Sequence, residues 1–363
     1  MTPPRTPKKN PPPPKPSSSE SELRELDAVL AAGGLVRSRR DKPAGIRRRA
    51  RYQPKAPEEL RPRPAVTRRV PNAVEIVTAP AWGKLPWLWH GFSTRRVGVS
   101  RAYAFRAYAF QDQPGELNLG FTPEDDRDNV IANRRLLAQA VTGDPATPIV
   151  TLRQVHSNVL VIAAAGPEGP LCKGDGLMTD DPGLLLGIQT ADCVPVLVAD
   201  RRRRVVAAFH AGWRGTVRRI VEAGIGRMRL EFGCRPEDLT AAIGPAIGPC
   251  CYAVGEEVLA EFESQFSYAR ELFHEVYDTD PVRTKYPMLF LTQRAPGHSP
   301  IGPSLHLDVP EANRRQLLAA GLKPSAIHAV GGCTSCQREL FFSHRASQGR
   351  CGRMLSVIGV RPE

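Results

Sequence analysis

Residues 184–215 read LLLGIQTADCVPVLVADRRRRVVAAFHAGWRG. Three short apolar runs stand in it, Leu184 to Ile188, Val194 to Val198 and Val205 to Phe209. Runs of this length, bounded by polar or glycine-containing segments, read as mostly buried strands. Reactive side chains sit where the runs stop. Thr190-Ala191-Asp192-Cys193 joins the first two, and His210-Ala211-Gly212-Trp213-Arg214-Gly215 follows the third.

Outward from this stretch the pattern continues. Ile149 to Val155 and Val159 to Ala164 precede it as strands, and Ala326 to Val330 and Met354 to Val360 follow as late ones. Helical spacing is clearest over 128–141, where Asp128 suits a cap and Ile131, Leu136, Leu137 and Val141 share a face. Further helices fit 216–231, 255–266 and 310–320, the last opened by Pro310 and closed by Gly321. Intermixed strands and helices over 71–363, with no internal linker, predict one large domain containing both.

The first 70 residues differ in kind. The chain of 363 residues carries 50 Lys+Arg against 37 Asp+Glu, a formal charge of +13. Residues 1–70 hold 18 of the basic and 7 of the acidic residues, so the body from 71 onward is almost neutral. They also hold 13 of the 35 prolines, including Pro11 to Pro14. Such a segment buries too little apolar surface to offset chain entropy and is expected to be a disordered tail. Its clusters Arg37-Ser38-Arg39-Arg40 and Arg47-Arg48-Arg49 offer a weak polyanion contact, although a solvated tail is the plainer reading.

No window approaches the roughly 18 consecutive apolar residues of a membrane span, and no secretory core opens the chain. A cytoplasmic protein without membrane contact is expected. Eight cysteines in such a chain favour reduced thiols, metal ligands or catalytic thiolates over disulfides. The tandem RAYAF at 101–105 and 106–110 is too short for a repeat architecture and reads as a duplication in a surface loop.

His156 in Gln154-Val155-His156-Ser157, Cys193 and His210 each follow an apolar strand, at separations of 37 and 17 residues. Strand ends meet at a sheet edge, so the three can converge there. Two imidazoles and a thiolate make a sound Zn²⁺ set with the fourth position left for water or substrate. The plain alternatives are a packed cysteine and strand-end histidines satisfied by neighbours.

The segments resemble a known family. Matching stretches are His90-Gly-Phe-Ser-Thr-Arg95, Leu117-Asn-Leu-Gly120, NVIANRRLL at 129–137, QVHS at 154–157, GDGLMT at 174–179, TADCVPV at 190–196 and HAGWRG at 210–215. IGPAIGPCCY at 243–252, LDVPEANRR at 307–315, Cys333-Thr-Ser-Cys336, Phe341-Phe-Ser-His-Arg345 and Gly352-Arg-Met354 follow in order. Over about residues 75–360 the chain resembles the YfiH-type family, called multicopper polyphenol oxidase or laccase-domain proteins, later purine nucleoside phosphorylases, with bacterial relatives described as peptidoglycan editing factors.

The resemblance implies an α+β fold in which mixed sheets form a sandwich-like core flanked by helices. It implies zinc on His156, Cys193 and His210. It also implies phosphorolysis of purine nucleosides (inosine, adenosine, guanosine, methylthioadenosine) with phosphate, and adenosine deamination at the same site. The older oxidase label fits poorly. A blue copper and a trinuclear cluster together need about ten histidines, and the chain has eight, with no His-x-His pair. Adventitious copper in the zinc site would leave at most weak polyphenol oxidase activity.

For phosphorolysis, Arg95, beside Ser93 and Thr94, offers the guanidinium fork that suits phosphate. Arg214, entering the 216–231 helix, adds positive charge near a helix start. Ser93, Arg95, Asn118 and Arg214 make the expected substrate-binding set. Asp175 and Asp192 are candidate acid/base groups or supports for the metal ligands, with turn formation as the alternative. A different class stays open, a hydrolase of cell-wall precursors with Cys193 as nucleophile and His210 as base. Two departures from the family pattern stand out: Arg95-Arg-Val-Gly98 in place of Arg-x-Gly-Gly, and His344 in place of tyrosine. Cys250, Cys251, Cys333 and Cys336 form a second group. Because neighbours 250 and 251 do not easily face one ion, packing or a wall role is expected of it.

Overall fold

The computed structural model describes residues 57–69, 74–103, 115–164, 172–276 and 303–363. All belong to the unit Tyr52–Glu363. The tail's arginine clusters and the second RAYAF copy lie outside the described residues.

Two six-stranded sheets carry the architecture. The first runs β1 (Thr67–Arg69), β2 (Glu75–Val77), β3 (Leu88–Ser93), β16 (Met354–Val360), β9 (Leu185–Thr190) and β6 (Ile149–Thr151). The second runs β15 (Ile327–Ala329), β12 (Leu239–Ile243), β10 (Val194–Asp200), β11 (Val206–Ala211), β8 (Gly176–Thr179) and β7 (Leu160–Ile162). Pairing is antiparallel except β6 with β9, β7 with β8 and β12 with β15. Two-stranded ribbons pair β4 (Arg96–Gly98) with β5 (Gly115–Glu116) and β13 (Phe273–Val276) with β14 (Ser304–Leu307).

Alternation along single strands builds the layers. In β10, Leu197 and Ala199 join Leu186, Ile188, Ile358 and Phe92 in the core between the sheets. Val194, Val196 and Val198 face the other way, into a core shared with Val221, Ile225 and Leu317. Helices α1 (Arg127–Thr142), α2 (Trp213–Val217), α3 (Ile220–Phe232), α4 (Glu256–Gln265) and α5 (Val309–Ala319) supply the outer covering. On the far side of the first sheet, Leu137 of α1 packs with Trp89, Leu355 and Val357. Sheets buried on both faces explain why these strands read as near-continuous apolar runs. The sandwich of mixed sheets flanked by helices is the expected fold.

Four local expectations are revised. Asp126, not Asp128, caps α1, its side chain accepting from the Asp128 N–H. The helix expected over 216–231 starts at Trp213 and breaks before Ile220, where Arg219 has φ 57°. β6 ends at Thr151 rather than Val155. Beyond it the Gln154 side chain takes over the pairing, Nε2 donating to Gln189 O at 2.7 Å and Oε1 accepting from Gln189 N at 2.8 Å. The chain is then free to turn at His156. Finally, β1 lies before residue 70 and pairs with β2 from Thr67↔Val77 to Arg69↔Glu75. The sheet thus takes in residues that composition assigned to the tail, because edge pairing rests on backbone hydrogen bonds that composition does not register.

Candidate metal centre and active site

His156, Cys193 and His210 come together at one end of the sandwich, each contributing a ligand atom within 4.8 Å of the others. Cys193 stands at the entry to β10 and His210 in the paired end of β11, where the register sets Val194 against Ala211 and Pro195 against His210. His156 approaches from the loop after β6 with a left-handed backbone, φ 58°. Its Nε2 lies 3.9 Å from Cys193 Sγ, and its ring centroid 4.9 Å from that of His210. His210 is buried, Cys193 half-buried and His156 exposed, so the cluster opens to solvent on the His156 side.

Asp175, fully buried ahead of β8, fixes this arrangement. Its Oδ1 accepts from His210 Nδ1 at 2.8 Å and from His156 N at 3.0 Å. Its Oδ2 accepts from Ser157 N, Ser157 Oγ and Val155 N at 2.6, 2.7 and 3.2 Å. The His210 N–H also donates to Asp175 O at 2.7 Å. With Nδ1 held by the carboxylate, His210 has Nε2 left for a metal, the usual support of a ligating imidazole. Gly212 completes the fit: a Cβ there would stand 2.9 Å from Cys193 Sγ and 3.1 Å from His156 Cδ2.

The electrostatics suit a bound cation. Burial alone would raise the Cys193 thiol, but the His210 charge and the His156 contact outweigh it and hold the thiol at about 6. Burial works to lower His210, while the Cys193 thiolate and Asp175 raise it to about 9. Burial would raise Asp175 too, yet the bonds from His210 and Ser157 hold it well below the carboxylate range. Two nitrogens and a sulfur of thiolate character, with an open side, fit a tetrahedral zinc site that retains one exchangeable position.

Asp192 is tied into the wall. It adopts φ 90°, and its carboxylate accepts from Thr334 Oγ1 at 2.6 Å and from Arg345 N at 2.7 Å. Strain of this kind persists only where surrounding contacts hold it. Tyr252 and Arg345 join the site unpredicted, the Arg345 guanidinium lying 5.2 Å from the Tyr252 ring centroid. Burial, followed by the Cys193 charge, pushes the Tyr252 phenol up, and Arg345 and Arg214 oppose this. Arg214 is exposed and stacks on Trp213 at 4.4 Å. Its helix α2 has only five residues, so the expected helix-start contribution gives way to the guanidinium's own charge. Arg218, also exposed, donates to His156 O at 2.9 Å.

The remaining expected substrate residues are turned inward. Arg95 does not present an open fork: it pairs with Glu116, donates to Arg338 O at 2.9 Å and Tyr103 O at 3.1 Å, and stacks on Phe342. The buried Ser93 Oγ accepts from Leu355 N at 3.0 Å. Asn118, fully buried, donates to Asp125 Oδ2 at 2.7 Å and accepts from Arg353 N at 2.8 Å. His344 is exposed beside Arg345.

Comparison with known proteins adds a second line. A family model described as "Multi-copper polyphenol oxidoreductase laccase" matches residues 89–361. The chain is similar to "Purine nucleoside phosphorylase YlmD" of Geobacillus stearothermophilus, 36% identical over 255 residues, covering 68% of this chain and 84% of the relative. It is similar to "Adenosine deaminase RL5" from an unknown prokaryotic organism, 31% identical over 275 residues, covering 74% and 92% of the two. The crystal structure of YlmD from Geobacillus stearothermophilus superposes with a TM-score of 0.64 at 32% identity, covering 82% of this chain and all of that one.

Proposed function

Since the chain belongs to the multi-copper polyphenol oxidoreductase laccase family, some of whose members are named for nucleoside chemistry, we propose that it is a zinc-dependent purine nucleoside phosphorylase with adenosine deaminase side activity. The observation that carries this reading is the open His156–Cys193–His210 cluster locked by Asp175 and flanked by the exposed Arg214. We place the reaction in the cytoplasm, where eight free thiols stay reduced.

His156, Cys193 and His210 hold the ion. When bound, zinc supplies Lewis acidity toward a developing negative charge or a coordinated oxygen. In phosphorolysis a phosphate oxygen forms the new bond to the ribose anomeric carbon, and the purine leaves with the electron pair of the glycosidic bond. The protein's part is to hold the two reactants in line and balance charge. Among the described residues, Arg214 is an exposed cation at the site able to meet phosphate, with Arg345 on the Tyr252 side. The Tyr252 hydroxyl, protonated at neutral pH, donates to a substrate oxygen or ring nitrogen. Asp175 positions His210, and Asp192 positions Cys193 through its turn. Arg95, Ser93 and Asn118 act as positioning residues for the wall, Arg95 through Glu116.

The test incubates the purified chain with inosine, adenosine, guanosine or methylthioadenosine, with and without phosphate, and identifies products by chromatography. Free base and a ribose 1-phosphate are expected only with phosphate, and are lost on chelation and restored by zinc. No base release from any of the four nucleosides would sink the reading. Arg214→Ala is expected to raise the phosphate requirement about 10-fold or more, since a charge-assisted bond is worth roughly 1.5–3 kcal/mol, with deamination less affected. Arg95→Ala is expected to lower both activities together.

One observation favours a second reading. Cys193, His210 and Asp175 form a thiol–imidazole–carboxylate chain with the geometry of a nucleophile, base and orienting acid. A hydrolase of cell-wall precursors built on it would survive chelation and be inactivated by thiol alkylation. The phosphorylase shows the reverse response to chelation.

A further inference from the structure

The second cysteine group assembles fully. Cys250 and Cys336 are 86 residues apart, yet their sulfurs lie 3.6 Å apart; Cys251 and Cys336 sulfurs lie 3.4 Å apart. With Cys333, all four sulfurs fall within 4.8 Å of one another. Two loops make this possible. Ala246 bridges Cys333 in parallel, Thr334 N donating to Ala246 O at 3.0 Å and Ala246 N to Gly332 O at 3.3 Å. Gly248 O accepts from both Cys251 N and Tyr252 N at 3.0 Å. That tight turn brings both neighbouring thiols toward Cys336, although adjacent residues are not expected to face one ion easily.

The spacing decides among occupants. A tetrahedral zinc with Zn–S near 2.3 Å sets its sulfurs about 3.8 Å apart, close to the 3.6 and 3.4 Å from Cys336 to Cys250 and Cys251. A disulfide needs sulfurs about 2.05 Å apart, and all four cysteines are free. An iron–sulfur cluster interposes bridging sulfides and spreads its thiolates wider. The backbone also turns toward the sulfurs: Gly248 N donates to Cys333 Sγ at 3.3 Å, and Cys336 N reaches the same atom. Such donors stabilise a thiolate over a thiol. Ile247, Leu60 and Tyr252 pack around the cluster.

We propose that Cys250, Cys251, Cys333 and Cys336 form a second, closed tetrathiolate zinc site whose role is structural. Four protein ligands leave no position for substrate. The ion clamps the two loops that hold Asp192, since Ile247 N donates to Asp192 O at 2.9 Å and Thr334 Oγ1 to its carboxylate at 2.6 Å. It thereby braces the turn that presents Cys193. The proposal does not depend on the phosphorylase reading.

The full-length chain carrying His156→Ala and Cys193→Ser, which empties the first site, is purified without chelators in reducing buffer. Elemental analysis is expected to find about one zinc per chain, against about two in the unsubstituted protein. Adding Cys336→Ser, at an exposed position, is expected to lower the remainder at least several-fold. Cobalt loaded into the double variant is expected to give the strong visible bands and sulfur-to-metal charge transfer of a tetrathiolate. A metal-free double variant with freely alkylated thiols would overturn the proposal. So would a disulfide persisting in reducing buffer, a weak octahedral cobalt spectrum, or copper or iron in place of zinc.

Discussion

Asp175 shows how one buried carboxylate sets a metal site. Five donors from two segments, 155–157 and His210, meet its two oxygens, so it orients His210 and fixes the left-handed turn of His156 in one place. In Asp175→Asn an amide nitrogen must face some of those donors, and nothing then polarises His210. Zinc affinity is expected to fall about 10- to 100-fold, the usual cost of removing such a support, as measured by competition with a chromophoric chelator. Unchanged affinity would show that His156, Cys193 and His210 are self-sufficient. At this scale the sequence named His156, Cys193, His210 and Asp175, which the structure brings together, because few residue types can hold a metal and the family resemblance marks these positions. Tyr252 and Arg345 lay in recognised stretches without being singled out. Neither residue type signals a site until folding sets it beside Cys193.

Elements were legible in kind and less so in their ends. The strands β11 and β16 and the helix beginning near 127 follow from apolar spacing, which is local. The early end of β6 depends on Gln154 meeting Gln189 across 35 residues, and the break before α3 on Arg219 in a left-handed conformation. β3 carries a pH consequence. His90, packed edge-on to Trp82 at 4.9 Å, accepts the Ala79 N–H at Nε2, a bond that only the neutral ring can accept. Burial lowers its pKa from 6.5 to about 4. Between these values the unfolded chain binds more protons than the folded one, so stability is full above 6.5 and is lost as pH falls toward 4. His90→Gln is expected to flatten the fall in urea midpoint between pH 6.5 and 4. An unchanged slope would assign that fall to other groups.

Across the whole molecule, stability concentrates between the two sheets. Leu197 is fully buried there with Leu186, Ile188 and Ile358. Leu197→Ala is expected to cost about 2–5 kcal/mol in urea unfolding with unchanged m, as for other buried leucines; a loss under about 1 kcal/mol would mean that the sheets close over the gap. The sequence by itself determined the strand-rich body, the family, the fold class and the three residues of the His156–Cys193–His210 cluster, because apolar runs, family motifs and the reactive residues at strand ends are written in neighbouring residues. Tertiary structure alone decided that Arg95 faces Glu116, that β1 joins the sheet from before residue 70, and that four cysteines in two distant loops meet. Each of those outcomes rests on a partner far away in the chain, and only the closing of the two sheets and their loops brings such partners within bonding distance.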